Sequence, residues 1–458
     1  MRLFYFRGYT RGGVNNKMLG ILGLIIGILF LIWGAYKRFA AIPLALIASI
    51  IVMLTNGLSL WETFSTTFMT GYTSFFINFF LIFIASALFA KVMETTGAAL
   101  TIGYKFLDWF GPKRAVLVVF LTTAVLTYGG VSLFVVVFAI APIIMTLFNQ
   151  VNLPRRFAMA PLLAGAATFT MKSLPGSPSL TNVAPTTFLG TSLDAAPVMG
   201  LISAALMITM QLFYFKWEEK RLRASGETFS FIPGTDVSIY QVERSELPSP
   251  VISFLPMLTV IVMIIGGSQL NRHGVINVPT GALVILSMLV ATTMAVAFNW
   301  NRVANKLEIL NNGTGAAVSA IAGPAAIIGF GAVVQATPAF TMIVNELLSL
   351  QMHPYLMAAI GPSVIAAITA SSSGGLLITM EVLSDYFITS GANLDTIHRL
   401  TATFSGTFDA LPHSTSLFLM FGYLGITVKE GYRFIWWGTV IIPTVAAVIV
   451  LVGAILIG

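Results

Sequence analysis

Two segments of the chain combine residue types suited to holding a small anion. The first runs Ser173-Leu174-Pro175-Gly176-Ser177-Pro178-Ser179-Leu180-Thr181-Asn182, then Pro185-Thr186-Thr187 and Gly190-Thr191. The second runs Asp409-Ala410-Leu411-Pro412-His413-Ser414-Thr415-Ser416. Both lie between apolar stretches. Proline removes a backbone donor and breaks the helical ladder, so each segment frees carbonyls and starts a new helix whose N–H groups point outward. A helix N-terminus carrying Ser and Thr hydroxyls suits a carboxylate. The candidate binding residues are Ser177, Ser179, Thr181, Asn182 and Thr186 in the first segment and Ser414, Thr415 and Ser416 in the second. The competing reading is a turn outside the membrane, which Pro, Ser and Asn also favour; the matched pair favours a site.

A second pair of interruptions is glycine-based. Gly129-Gly130 breaks the apolar run from Ala115 to Phe148, and Ser371-Ser372-Ser373-Gly374-Gly375 breaks a later one. Adjacent glycines weaken a helix and let backbone come close to a ligand, which adds Gly129, Gly130, Ser372, Ser373, Gly374 and Gly375 to the candidates. Close packing between helices through small residues is the alternative.

Among ionisable groups, Asp409 and His413 flank Pro412. An acid or imidazole within a membrane is costly and usually functional, and both can titrate, so these two are the proton-coupling candidates; the alternative is a helix-capping Asp and a His at the rim. Lys172 beside the first break would offset a substrate's negative charge, or would snorkel to an interface. Glu94, Glu381, Asp385 and Arg399 read as marking span ends, and Lys113-Arg114 and Arg155-Arg156 as orientation signals.

The elements that must carry these residues are membrane helices. Of 458 residues, 57% are hydrophobic and 9% charged, against roughly 25% charged in a soluble domain. Lipid must be the solvent for much of this surface. Apolar runs predict an all-α polytopic membrane protein of about 12 spans, several short enough to be half-helices or re-entrant hairpins. Residues 1–17 form an N-terminal tail, and the first span follows from Met18, with Lys37 and Arg38 after it rather than a cleavage pattern. Residues 18–215 and 251–458 are two membrane repeats. The polar stretch 216–250 between them opens with Lys216, Lys220, Arg221 and Arg223 and is expected on the cytoplasmic side.

The repeats are read from matched words. KVMETTGAALTI at Lys91 answers AVVQATPAFTMI at Ala332; LPGSPSL at Leu174 answers LPHSTSL at Leu411, 237 residues on, with five of seven positions identical. Duplicated halves with broken helices place a binding site where the breaks meet. Whether the halves are inverted depends on the parity of crossings; inversion is the expectation.

Several chemistries are excluded. Cysteine is absent and the four histidines have no metal-ligand spacing, so no metal or other cofactor is expected. No HExxH, GxSxG or P-loop word occurs. The net charge of +7 sits at span ends and does not imply nucleic acid. A membrane enzyme acting on a lipid-linked substrate would need clustered carboxylates, and a sensor would need a larger soluble domain.

The segments FTMKSLPGSPSLTNVAPTTFLGTS, ITASSSGGLLITMEVL and FSGTFDALPHSTSLF resemble the gluconate permease family, within the ion-transporter superfamily, and the resemblance extends from Met18 to the end. It implies proton-coupled uptake of a small hydroxy-monocarboxylate (gluconate or a related sugar acid) across a bacterial cytoplasmic membrane. D-serine and 3-hydroxybutyrate branches exist, and the DALPHS segment leans towards the latter. Some relatives carry an amide where this chain has Ser414. The superfamily implies paired hairpins, elevator-type alternating access and a homodimer. Sodium is the alternative coupling ion, with Ser179, Thr181, Asn182 and freed carbonyls as a hard-cation site.

Overall fold

The computed structural model describes residues 14–37, 39–131, 133–232, 244–303, 305–349, 352–369, 371–412, 414, 417, 420–421 and 424–457. They are mostly helical, with no strand among them. Before the polar stretch come α1 (Val14–Tyr36), α2 (Ala41–Thr55), α3 (Leu60–Thr95), α4 (Ala98–Phe110), α5 (Ala115–Tyr128), α6 (Leu133–Gln150), α7 (Met159–Ala167), α8 (Phe169–Lys172), α9 (Leu180–Leu189) and α10 (Pro197–Ala224). After it come α11 (Pro250–Arg272), α12 (Thr280–Phe298), α13 (Lys306–Gln335), α14 (Pro338–Ser349), α15 (Pro354–Thr369), α16 (Ser372–Thr389), α17 (Leu394–Phe404) and α18 (Val428–Ile457).

The two series run in step. Helices α1 to α6 have 23, 15, 36, 13, 14 and 18 residues; α11 to α16 have 23, 19, 30, 12, 16 and 18. The long α10 of 28 residues answers α18 of 30.

Six helices among the described residues are long and apolar enough to cross a bilayer: α3, α10, α11, α12, α13 and α18. Helices α4 and α5 make a seventh if the pair is one span, bent by 111°. Gly111 at φ +76° makes that corner, and Pro112 opens the next helix. The short apolar runs at 115–127, 131–148, 157–171 and 376–390 fall on α5, α6, α7 with α8, and α16; α7 has only 9 residues and α8 only 4. Polar caps start several helices. Ser249 accepts from Ile252 N, Ser371 from Gly374 N and Asn393 from Thr396 N, while Thr427 and Glu430 form a capping box at α18. The exterior carries bare Ile77, Leu81, Phe213 and Val262, and the interior holds Lys172, Asn182, His398 and Arg399. Polar groups inside and apolar groups outside mark lipid as the solvent.

The chain divides into two compact units, Met1–Asn78 with Ala322–Met352, and Phe79–Ile321 with His353–Gly458. In the smaller unit α1 lies against α2 at glycine steps; a Cβ on Gly23 would meet Thr55, and one on Gly34 would meet Leu44. Every site residue discussed below belongs to the larger unit.

The polar stretch begins as helix, since α10 continues to Ala224. The segment after it is strapped down. Arg156 Nε donates to Glu227 Oε2 at 3.0 Å, Arg155 Nη1 to the Ser230 carbonyl at 2.8 Å, and Phe229 N to Asn152 Oδ1 at 3.0 Å. The bond from Arg156 holds the Glu227 carboxyl below the usual carboxylate range.

Candidate functional site

The first Pro-rich segment follows the short helix α8. Proline at 175 and 178 leaves Leu174 to Ser179 non-helical, and α9 restarts at Leu180. The turn is braced from within: the Ser179 hydroxyl and Thr181 Oγ1 (2.7 Å) both donate to the Met171 carbonyl. Asn182 Nδ2 donates to the carbonyls of Ser177 at 2.9 Å and Leu193 at 2.8 Å. Two carbonyl acceptors fix the amide, so its Oδ1 must face the other way. There it meets Arg399 Nη1 at 3.0 Å and His398 Nε2 at 3.2 Å.

Arg399 is fully enclosed (0% exposed). Its guanidinium forks onto the Ala195 carbonyl through Nε at 3.1 Å and Nη2 at 2.8 Å. It also donates to the carbonyls of Lys172 at 3.4 Å and Leu193 at 3.5 Å. This clip ties the break after α8 to the loop between α9 and α10. Next in that loop stands Ala196, a non-glycine residue at φ +42°; such a backbone costs of order 1–3 kcal/mol and persists only when its surroundings hold it. His398 completes the cluster, its Nδ1 lying 2.7 Å from Thr191 Oγ1. Because Asn182 Oδ1 accepts at Nε2, a neutral ring carries its proton there and accepts from Thr191.

Arg399 read from sequence as a span end. The structure corrects that: the side chain is at the centre of the cluster, because α17 has only 11 residues and its buried face turns into the protein. Sequence reasoning also passed over His398. The available signal was a His-Arg pair followed by nine residues without another charge before Asp409.

The second segment brings Asp409 to Lys172. Nζ lies 2.5 Å from Oδ2, with side-chain exposures of 4% for the lysine and 14% for the aspartate. Lysine crosses the bare face of Gly406, where a Cβ would fall 2.2 Å from Cδ. The two residues are 237 positions apart, the same offset that relates LPGSPSL to LPHSTSL. Each therefore stands two residues before the Leu-Pro of its own segment, and the ion pair joins corresponding places in the two Leu-Pro words. Asp409 reads here as an ion-pair partner rather than a helix cap, and Lys172 as buried rather than snorkelling.

The glycine pairs divide. At the end of α5, Gly130 has φ +96°, and Tyr128 Oη donates to the Pro175 carbonyl at 2.7 Å, so the first diglycine adjoins the first Pro-rich break. A Cβ on Gly129 or Gly130 would stand 2.9 Å from Met257 or Met288. On α16, Gly375 serves close packing, since a Cβ there would lie 2.5 Å from Ala366 N of α15. Ser372 and Ser373 lie half-buried in the first turn of α16, and Gly374 N is spent on Ser371 Oγ. Helix α9 packs on both α16 and α17, setting the first break's new helix against the second half's diglycine helix. Ser414 is buried, its N–H donating to the Leu411 carbonyl at 2.9 Å. Thr186 Oγ1 is satisfied within its own helix by Val183 O at 2.7 Å. His413, Thr415 and Ser416 lie outside the described residues. Among the described residues no group of three His, Asp or Glu could hold a metal ion.

The sequence pattern of the GntP family permeases matches residues 17–457. The chain belongs to the GntP permease family. A Bacillus subtilis member described as a transporter, YxjC, is 30% identical over 91% of this chain and 95% of its own length. A Haemophilus influenzae permease is 26% identical over 53% of this chain and 50% of its own length. The Alcanivorax borkumensis YdaH transporter, whose crystal structure is described as having an unusual topology, overlays with a TM-score of 0.56 at 13% identity, covering 94% of this chain and 98% of that one. This GntP permease is thus a multi-pass membrane transporter and not an enzyme.

Proposed function

We propose that this permease imports a small hydroxy-monocarboxylate, gluconate or a related sugar acid, together with one proton. The supporting observation is the buried Lys172–Asp409 pair at equivalent places in the two breaks. The Lys172–Asp409 pair is electrically neutral, an ammonium against a carboxylate. A substrate carboxylate can take Asp409's place on Lys172 Nζ only if Asp409 gives up its charge, because a second carboxylate would leave a net negative charge in a low-dielectric interior. One proton on Asp409 restores neutrality. Two unit charges 4 Å apart interact by about 4 kcal/mol at an effective dielectric of about 20, so neutral states are favoured roughly a thousandfold. Substrate alone or proton alone leaves the site charged, and that asymmetry is the coupling.

In this reading Arg399 holds the frame and Lys172 receives the carboxylate. Ser177, Ser414, Ser372 and Ser373, with the N-terminal turns of α9 and α16, stand near the breaks to take substrate hydroxyls. All of these groups belong to one compact unit, as an elevator-type carrier requires. The matched words and the recurring helix lengths support duplicated halves, and their inversion is part of the proposal. The bacterial cytoplasmic membrane, a cytoplasmic 216–250 stretch and a homodimer complete the proposal.

The test is uptake into proteoliposomes of labelled gluconate, glycerate, 3-hydroxybutyrate, D-serine and citrate. An inside-alkaline pH gradient should drive accumulation of a hydroxy-monocarboxylate, and a protonophore should abolish it. Accumulation that follows a sodium gradient and ignores pH contradicts the coupling.

A further inference from the structure

The buried face of α10 carries Gly200, Ser203, Met207, Gln211, Tyr214 and Glu218. Their spacing of three and four places them on one stripe. The stripe begins at the first break: Ser203 Oγ is 3.1 Å from Ser173 Oγ, and a Cβ on Gly200 would lie 2.2 Å from the Ser173 carbonyl. It ends at Glu218, fully buried, paired with Arg221 at 2.7 Å and Arg433 of α18 at 3.2 Å, both partly exposed. Between them Gln211 donates both amide hydrogens, to Thr168 Oγ1 and to the Gly438 carbonyl, each at 3.1 Å. Gly438 lies in the π-helical segment Trp436–Ile441 of α18, an irregularity that recurs at functional sites.

Two polar atoms on this stripe are buried and, among the described residues, have no hydrogen-bond partner: Gln211 Oε1 and Tyr214 Oη. Buried polar atoms are normally satisfied by protein or by ordered water. Their places are set by helix geometry. Gln211 to Glu218 is seven residues, about 10 Å along the axis. At about 2.8 Å per hydrogen bond, that distance needs three or four links. Glu218, Tyr214 Oη and Gln211 Oε1 supply the fixed points for such links. Thr168, bonded to Gln211, stands one helical turn before Lys172.

We propose that the α10–α18 interface holds a file of ordered water running from the Glu218–Arg221–Arg433 cluster past Tyr214 and Gln211 to the Lys172–Asp409 pair, and that it is the proton's route to Asp409. Tyr214 relays by its hydroxyl. Gln211 orients water as an acceptor and does not itself transfer a proton. The charged and titratable groups facing the file are Glu218, Arg221 and Tyr214 on α10 and Arg433 on α18. The file's use as a proton route rests on the symport reading above; its existence does not.

Two measurements separate these. Hydroxyl-radical footprinting of the purified protein should modify Tyr214 despite its burial, and the modification should fall at least fivefold in Gln211→Leu. Absence of Tyr214 modification, or equal modification in both proteins, overturns the file. In proteoliposomes with gluconate as probe, Tyr214→Phe should slow pH-driven accumulation at least tenfold while leaving gluconate–gluconate exchange intact. Unchanged pH-driven accumulation in Tyr214→Phe overturns the proton route. If the wild type accumulates no acid under a pH gradient, the symport reading fails instead, and footprinting still decides whether the file exists.

Discussion

Two buried cations stand a short way apart in this molecule and are held in different ways. Arg399 is hydrogen-bonded by neutral oxygens, three backbone carbonyls and the amide of Asn182, with the carboxylate of Asp194 acting on it at longer range. Lys172 is held by one carboxylate, Asp409. Backbone carbonyls do not titrate, so no proton competes with Arg399 for those contacts. A carboxylate can be neutralised by one proton, so the Lys172 contact can be opened and its place taken. The difference teaches how one site is both fixed and switchable. The guanidinium fixes the loops, and in the proposed cycle the ammonium exchanges partners.

The comparison breaks most readily at Arg399. Arg399→Met removes the clip from several carbonyls at once and releases the strained turn at Ala196; stability should drop by about 3–5 kcal/mol, seen as loss of a monodisperse peak and a lower unfolding midpoint in detergent. Arg399→Lys keeps the charge but not the fork, and should recover only part of the loss. A parental unfolding midpoint for Arg399→Met would remove it from the frame.

Lys172 sharpens the comparison by a cycle. Lys172→Met alone leaves Asp409 buried without its partner and should destabilise by about 3 kcal/mol. The double variant Lys172→Met with Asp409→Asn should regain most of that while transporting nothing. Additive single effects in the cycle would show that the pair is not coupled.

Glycine substitutions rank next. Gly375→Ala drives a methyl into the backbone of Ala366, with an expected loss of about 1–3 kcal/mol. Gly129→Ala meets only the flexible side chain of Met257 and should cost less than half as much. Reversal of that order would argue that the second diglycine serves a ligand rather than packing.

The smallest effect belongs to the strap at Glu227. Arg156 holds that carboxyl below its ordinary range, so its contribution is complete above the ordinary carboxylate pKa and is lost as pH falls through the lowered folded value. The pair is partly exposed and is worth at most about 1 kcal/mol. Proteolysis of the 225–232 segment should quicken only in that acidic window.

Much of this was legible in the sequence because breaks leave marks. Pro175, Pro178 and Gly130 interrupt apolar runs, and the matched words predicted which interruptions correspond. The same 237-residue offset separates Lys172 from Asp409, but nothing in the sequence alone singled that pair out. What stayed hidden was direction. Arg399 and a span-end arginine look alike in one dimension, and only the short α17 turns it inward. Gly374-Gly375 likewise carries the same letters as Gly129-Gly130, yet at Gly375 the neighbour is a helix backbone. The hydroxyls of Ser179 and Thr181 read as ligand groups but are spent on the Met171 carbonyl, because a proline turn must satisfy its own carbonyls first.

The central claim is that the substrate takes Asp409's place on Lys172 as a proton binds Asp409. Proton uptake during binding tests it most directly, measured with a pH dye in weakly buffered detergent solution on the wild type and Asp409→Asn. The account predicts about one proton taken up per acid bound by the wild type and none by Asp409→Asn, whose affinity should no longer change with pH. Equal uptake by both proteins, or none by the wild type while it binds, would contradict it.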